Sequence, residues 1–165
     1  MTRGFRSRSL HGGYQPDAEG GAFAPPIHQT TSYRLGSADR AADLYALEAE
    51  GDVYSRISNP TVRTLERRLA SLSGGVGAVA TNAGMAALDT LTTVLAGAGD
   101  NVVTAADLYG GTTAYFANTA SRRGIEIRTV DTLDYDAYAE AIDEDTAYVH
   151  AETMANPSLV TPDFE

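Results

Sequence analysis

The sequence predicts an α/β fold in which a mostly parallel β-sheet carries helices on both faces. Three observations lead to this prediction. From Thr61 onward, short apolar runs alternate with segments of helical spacing, which is typical of parallel strands connected by helices. The hydrophobic fraction of 43% is that of a globular domain. Cysteine is absent, so neither disulfides nor thiolate metal sites stabilise the chain.

The first 60 residues lack this alternation. They are rich in Gly, Pro, Ser and Thr, a composition that favours turns and extended segments. One short helix is predicted over residues 38–50, ending at Gly51. Because this part has little apolar repeat of its own, we expect residues 1–60 to form an arm that packs on another surface. Residues 61–165 are expected to form the first part of an α/β domain.

The second region begins with a strong helix signal. Asn59 supplies a capping side chain and Pro60 suits the first helical position. Val62, Leu65 and Leu69 then recur on one face of a helix predicted over residues 61–72. Further helices are predicted at residues 85–95, near 111–123 and at 135–142, and strands at 76–81, 101–105, 125–130 and 147–152.

The last residues suggest that the fold continues. Pro162 and Asp163 resemble the beginning of a further helix. The four predicted strands would make a sheet at the small end of the common range. We therefore expect the chain to be the N-terminal portion of a longer protein.

Composition narrows the possible partners. The net charge is −10, from 22 acidic and 12 basic residues, so a nucleic-acid-binding surface is not expected. No apolar run approaches the roughly 18 residues of a membrane-spanning helix, and the N-terminus lacks the apolar core of a secretory signal. We expect a cytoplasmic protein. All 12 basic residues are arginine, so the sequence contains no lysine.

Three positions that follow predicted strands are candidates for ligand binding, because ligands of α/β sheets gather at the carboxyl ends of strands. Gly84 begins an apolar helix whose free N–H groups suit a phosphate. Tyr109 offers a ring for stacking, and Asn156 an amide that donates and accepts. Each residue also has a simpler explanation. Gly84 would allow tight packing of strand on helix, Tyr109 would cover the edge of the core, and Asn156 would form an Asn-Pro turn. Together they predict a site for a flat aromatic ligand that carries a phosphate.

Other chemistry is poorly supported. His11, His28 and His150 have no metal-ligand spacing, and His150 is expected to pack in or over the core. Neither dinucleotide-binding nor P-loop motifs occur. Tyr54 and Arg56 remain unexplained by local structure, because they lie just before a helix whose capping needs neither of them. An unrelated α/β ligand-binding domain is still an alternative at this point.

Four strings, VYSRISNPTVRTLERRLASLSGGVGAVAT, NAGMAAL, DLYGGT and ETMANP, occur in this order. They resemble the pyridoxal-phosphate enzymes of cysteine and methionine metabolism, the transsulfuration family. The resemblance runs from about Gly12 to Glu165 and is strongest to the O-acetylhomoserine sulfhydrylases. It implies the aspartate aminotransferase-like large domain (fold type I), truncated here and preceded by an extended N-terminal arm. It also implies pyridoxal phosphate as cofactor and a homo-oligomer built as a dimer of dimers.

The resemblance assigns phosphate-binding roles to four residues. Tyr54 and Arg56 would reach across a dimer interface to the cofactor phosphate of the neighbouring subunit. Gly84 and Met85 would donate backbone N–H groups to the phosphate of their own subunit. The family's usual serine before this glycine is Ala83 here, which removes one possible hydroxyl donor.

Two further residues would contact the rest of the cofactor. Tyr109 would stack on the pyridine ring and assist departure of the leaving group, so it is the predicted catalytic residue. Asn156 would lie near the ring oxygen and the substrate carboxylate. The family's cofactor-binding lysine and its pyridinium-pairing aspartate lie beyond the end of this chain, and no lysine is present to substitute.

The resemblance implies replacement of acetate by sulfide on O-acetylhomoserine, giving homocysteine. Cystathionine γ-synthase and γ-lyase chemistry are alternatives within the same family. A different alternative is a non-catalytic fragment that keeps the cofactor cradle and the oligomer contacts. Because lysine is missing, we expect the isolated chain to be inactive.

Overall fold

The computed structural model describes residues 4–16 and 20–164. The chain divides into two compact units, Met1–Ala80 and Thr81–Glu165. This division lies 20 residues beyond the predicted boundary of the arm at residue 60, and the arm's role in oligomer contacts stays a prediction. None of the helices in the described part of the chain is long and apolar enough to cross a bilayer.

The described residues of the first unit contain three helices, α1 (Phe5–His11), α2 (Ala38–Tyr45) and α3 (Pro60–Ser73). The α1 helix was not predicted, whereas α3 confirms the predicted helix and its cap. α1 is tied to α3 by two arginines that donate to main-chain carbonyls. The Arg8 guanidinium donates to Ser71, and Arg68 Nε donates to Gly12 at 2.9 Å.

The predicted helix over residues 38–50 is too long, since α2 ends at Tyr45. Leu47 has a positive φ of 62° there. The N–H of Glu48 donates to the carbonyl of Asp43 at 2.9 Å, and that of Leu47 donates to Leu44 at 3.3 Å. These two bonds form a Schellman turn, which usually has glycine where Leu47 lies. Because glycine is missing there, no local signal in the sequence ends the helix at Tyr45.

The second unit alternates helices and strands. Its elements are α4 (Gly84–Leu95), β1 (Asn101–Ala105), α5 (Gly110–Tyr115), β2 (Glu126–Val130), α6 (Tyr135–Ala141) and β3 (Thr146–His150). α5 continues as a π-helical turn at Phe116–Ala120 and a 3-10 turn at Ser121–Arg123, ending at Gly124 with φ 82°. The predicted helix near residues 111–123 therefore exists but changes its hydrogen bonding along its length.

All strand pairs of the sheet are parallel, and the strand order is β2-β1-β3. β1 lies in the centre and is buried along its whole length. Val102, Ile127 and Tyr148 are register partners and share one face. α4 and the π-helical turn cover this face, where Met85 and Phe116 contact the same core cluster as Val102.

The opposite face of the sheet meets α6. Arg128 alternates with Ile127, so its side chain lies on this second face. Its guanidinium donates to the carbonyl of Ala141 at 2.9 Å and pairs with the carboxylate of Asp143 at 2.5 Å. Helices therefore lie on both faces, and the predicted parallel α/β architecture is confirmed.

The predicted strand at residues 76–81 is wrong, and the sheet has three described strands rather than four. A strand needs a hydrogen-bonded neighbour, and the described strands pair only with one another. Val76 and Val79 are exposed accordingly. Residues 160–164 form no helix, so the helix predicted from Pro162 does not begin in the described part of the chain.

Candidate functional site

In the first unit, the segment that contains Tyr54 and Arg56 is held against residues 28–33. Ser32 and Tyr54 form an antiparallel bridge, and the N–H of Ser55 donates to the carbonyl of Thr31 at 2.8 Å. Asn59 completes the attachment, because its amide donates to the carbonyl of His28 and to Ser55 Oγ, both at 3.0 Å. The loop is therefore fixed at its base while its tip is free to point outward.

Arg56 at this tip contacts the side chain of Tyr54, whose backbone lies in the bridge at the base. The guanidinium carbon of Arg56 lies 5.0 Å from the centroid of the Tyr54 ring, within cation–π range. Both residues are exposed in the chain. The stack holds a planar group with several N–H donors toward solvent, which suits bidentate binding of a phosphate.

Gly84 and Met85 open α4 in the second unit. The first backbone bond of this helix joins the N–H of Ala87 to the carbonyl of Ala83 at 3.1 Å, so the preceding N–H groups have no intrahelical acceptor. Ala83 has no side-chain oxygen that could cap them. A Cβ built on Gly84 would meet nothing within 4 Å beyond its chain neighbours and the helix's own backbone, so the described residues leave this position uncrowded.

Tyr109 lies at the N-terminus of α5, beyond the carboxyl end of β1, and its side chain is 50% exposed. Its ring lies against Gly111, where a built Cβ would come within 2.4 Å of Tyr109 Cε1. Glycine at position 111 therefore allows the ring to occupy this place. A half-exposed aromatic ring at a strand end can stack on a planar ligand.

Glu152 reaches the same helix end from the loop after β3. Its Oε1 and Oε2 accept from the N–H of Tyr109 at 3.0 and 3.1 Å, and Oε1 also accepts from Thr112 Oγ1 at 3.2 Å. Glu152 was not among the predicted site residues. Its position at the end of the strand predicted over residues 147–152 was the one available signal, but 43 residues separate it from Tyr109.

Asn156 belongs to the same loop and is exposed. The loop closes on itself, since the N–H of Ala155 donates to Val160 and that of Leu159 to Ala155, both at 2.9 Å. The Asn156–Pro157 peptide is cis. Ala155 is buried, so it anchors the loop while its neighbour Asn156 stays accessible.

His150 ends β3 behind this loop. Its ring meets Phe116 edge-to-face at 5.3 Å between centroids, which agrees with the packing role expected from the sequence. Burial lowers the pKa of His150, and the nearby Glu152 carboxylate partly opposes this effect. No group of three His, Asp or Glu residues that could hold a metal occurs among the described residues.

The predicted site residues thus fall into two sets. Gly84, Met85, Tyr109 and Asn156 lie in the second unit, at a helix N-terminus and at the ends of strands β1 and β3. Tyr54 and Arg56 lie in the first unit, where they contact each other. Their assignment to a ligand stays a prediction.

Comparisons with known proteins identify the family. The family model described as "Cys/Met metabolism PLP-dependent enzyme" matches residues 6–165. The chain is 45% identical over 155 residues to an O-acetyl-L-homoserine sulfhydrylase of Corynebacterium glutamicum, covering 93% of this chain and 36% of that protein. It is 38% identical over 161 residues to the L-methionine gamma-lyase of Pseudomonas putida, covering 98% of this chain and 40% of that protein.

A solved structure supports the same family assignment. The crystal structure of a protein described as an O-acetylhomoserine (thiol)-lyase of Campylobacter jejuni, which contains a pyridoxyl-lysine phosphate, matches with a TM-score of 0.89 and 35% identity. The match covers 98% of this chain and 40% of that one, so the chain spans less than half the length of these relatives. The predicted fold and family are both confirmed. The chain belongs to the family of pyridoxal-phosphate-dependent enzymes of cysteine and methionine metabolism.

Proposed function

We propose that this chain supplies part of the cofactor and substrate site of an O-acetylhomoserine sulfhydrylase. In the net reaction, sulfide replaces acetate on the γ-carbon of O-acetylhomoserine, and homocysteine and acetate are released. The observation that carries this proposal is the open N-terminus of α4 at Gly84, in a chain 45% identical to an O-acetyl-L-homoserine sulfhydrylase. The methionine gamma-lyase relative supports lyase chemistry as the alternative.

The residues at this helix end fit the phosphate of pyridoxal phosphate. The first turn of α4, a helix that is described in full, contains no acidic side chain that would repel an anion. The N–H groups of Gly84 and Met85 form the positive end of the helix dipole, and a Cβ built on Gly84 would meet nothing within 4 Å beyond its chain neighbours and the helix's own backbone. Free backbone donors at an uncrowded helix end suit a phosphate.

Each remaining residue has a binding or orienting task. Tyr109 would stack on the flat ring of the cofactor, near the departing group of the substrate. Asn156, which is exposed in the loop after β3, would orient the ring oxygen and the substrate carboxylate through its amide. Bound pyridoxal phosphate supplies an electron sink for reactions at the carbons of an amino acid.

The Tyr54–Arg56 stack provides the contact between subunits in this proposal. An exposed guanidinium held over a ring is oriented before it meets its ligand, which lowers the entropic cost of binding. We assign it to the cofactor phosphate of a neighbouring subunit in a homo-oligomer. Covalent attachment of the cofactor and proton transfer by lysine fall to residues outside these 165, because the sequence contains no lysine.

The cofactor-binding part is tested by equilibrium dialysis of the chain with pyridoxal phosphate and with pyridoxal. We expect tighter binding of the phosphorylated compound, and weaker binding by Arg56→Ala than by the control Arg34→Ala, an exposed arginine of the same unit. The Arg56 effect should grow with protein concentration, since the contact joins two subunits. Equal affinity for both compounds would contradict a phosphate site.

The activity is tested on the protein that contains this sequence together with its lysine-bearing remainder. With O-acetylhomoserine and sulfide, we expect homocysteine and acetate in equal amounts. Formation of cystathionine with cysteine as the preferred nucleophile would favour cystathionine γ-synthase. Release of ammonia and a 2-oxo acid without added nucleophile would favour a γ-lyase.

A further inference from the structure

Glu152 makes contacts in the second unit that the proposed function does not use. Its two carboxylate oxygens share the N–H of Tyr109, and one of them also accepts the Thr112 hydroxyl. Hydrogen bonds to a charged acceptor are about twice as strong as neutral ones. The carboxylate also lies at a helix N-terminus, where negative charge is favourable. Glu152 therefore fixes the backbone from which the Tyr109 side chain departs.

The ring of Tyr109 is fixed at a second point. It lies on Gly111, and a Cβ at that position would overlap the ring, with Cε1 at 2.4 Å and Cδ1 at 3.1 Å. The position of the Tyr109 ring therefore depends on the backbone conformation of the first turn of α5. A change in the backbone at Tyr109 would swing the ring away from Gly111, because the side chain has only two rotatable bonds.

We propose that Glu152 is a positioning residue that sets the plane of the Tyr109 ring. It acts from the loop after β3 and ties the ends of two neighbouring strands, β1 and β3, into one surface. This inference rests on the proposed function in one respect, namely that the positioned ring receives the cofactor. The contacts of Glu152 are to Tyr109 and Thr112, so in this proposal it acts on the cofactor through the Tyr109 ring.

The test compares Glu152→Gln with Glu144→Gln in the 165-residue chain. Glu144 is exposed in the same unit, so its variant carries the same change in charge without touching α5. NMR follows two signals in the cofactor-free chain, the exchange of the Tyr109 amide and the nuclear Overhauser contact between the Tyr109 ring and the Gly111 α-protons. Affinity for pyridoxal phosphate is then measured on the same samples.

In Glu152→Gln we expect the Tyr109 amide to exchange about tenfold faster or more, as loss of a bond to a charged group implies. The ring–Gly111 contact should weaken, and cofactor affinity should fall about two- to tenfold, the range of one ring stack. Glu144→Gln should leave all three unchanged. Thr112→Val, which removes only the hydroxyl contact, should shift the same signals less, and it keeps the test open if Glu152→Gln folds poorly.

Persistence of the ring–Gly111 contact in Glu152→Gln would overturn the proposal, whatever the cofactor does. If the contact weakens but Glu152→Gln binds pyridoxal phosphate as tightly as the unmodified chain, the claim that the positioned ring receives the cofactor is overturned. If the contact weakens in Glu152→Gln but the unmodified chain binds no pyridoxal phosphate, the positioning of Tyr109 stands and the proposed function fails. The two failures are therefore distinguishable.

Discussion

Replacing Asn59 by alanine is expected to destabilise the first unit more than loss of a helix cap alone would do. The Asn59 side chain is 9% exposed and makes three hydrogen bonds. Its Oδ1 accepts from the N–H of Thr61 at 2.9 Å, while its Nδ2 donates to the His28 carbonyl and to Ser55 Oγ. The first bond caps α3, and the other two hold the loop that carries Tyr54.

The expected magnitude follows from these bonds. Loss of the cap costs about 1 kcal/mol. Loss of the two donated bonds costs about 1–3 kcal/mol, since the His28 carbonyl is left without this donor in a partly buried place. The sum is a decrease of about 2–4 kcal/mol in the free energy of unfolding.

Two variants separate the contributions. Asn59→Ser keeps an oxygen that can cap α3 but lacks the amide donors, so its cost should be intermediate. Ser37→Ala removes the exposed cap of α2, whose Oγ accepts from the N–H of Arg40 at 3.2 Å, and should cost about 0.5–1 kcal/mol.

Urea unfolding followed by far-ultraviolet circular dichroism measures all three variants against the unmodified chain. If Asn59→Ala costs no more than Ser37→Ala, the two bonds that the Asn59 amide donates, to His28 and to Ser55, contribute nothing. The attachment of the loop through Asn59 would then be refuted.

Two further predictions concern β3. Burial lowers the pKa of His150, so the unfolded chain takes up this proton first as the pH drops below about 6.5, and the free energy of unfolding should decrease as the pH decreases. His150→Phe should flatten this slope in urea titrations between pH 8 and 5, and an unchanged slope would contradict the prediction. Tyr148→Phe removes the hydroxyl that lies 2.6 Å from Thr92 Oγ1, and it should cost only about 0.5–1.5 kcal/mol because Thr92 still donates to Leu88 at 2.9 Å. Thermal unfolding checks this value, and a loss above 3 kcal/mol, on the order of a buried unsatisfied group, would show that the hydroxyl contributes more than one bond.

The elements that the sequence predicted well carry their signals locally. β1 was predicted with its observed bounds, because five residues suited to a strand lie between a turn and a loop. The start of α3 followed from Asn59 and Pro60, whose capping geometry the structure shows. Gly84 was expected to open a helix, and α4 begins there.

The errors arise where a signal depends on distant residues. The segment at residues 76–81 has the composition of a strand, but pairing requires a neighbour that its own sequence does not reveal. Leu47 takes a conformation that the sequence rules reserve for glycine, so the end of α2 was misplaced. Glu152 was missed because a carboxylate becomes a helix-end ligand only after the fold has brought β1 and β3 together.

Glu152 also links the positioning of Tyr109 to the titration of His150. Its carboxylate raises the pKa of His150 against the stronger effect of burial, so Glu152→Gln should lower that pKa further. The pH range in which His150 reduces the free energy of unfolding would still begin near the unfolded-state pKa of about 6.5, but it would extend to a lower pH. Above that value His150 is neutral in the folded chain with or without Glu152. Cofactor binding measured at about pH 8 therefore isolates the effect of Glu152 on the Tyr109 ring, whereas a difference that appears only at acid pH belongs to His150.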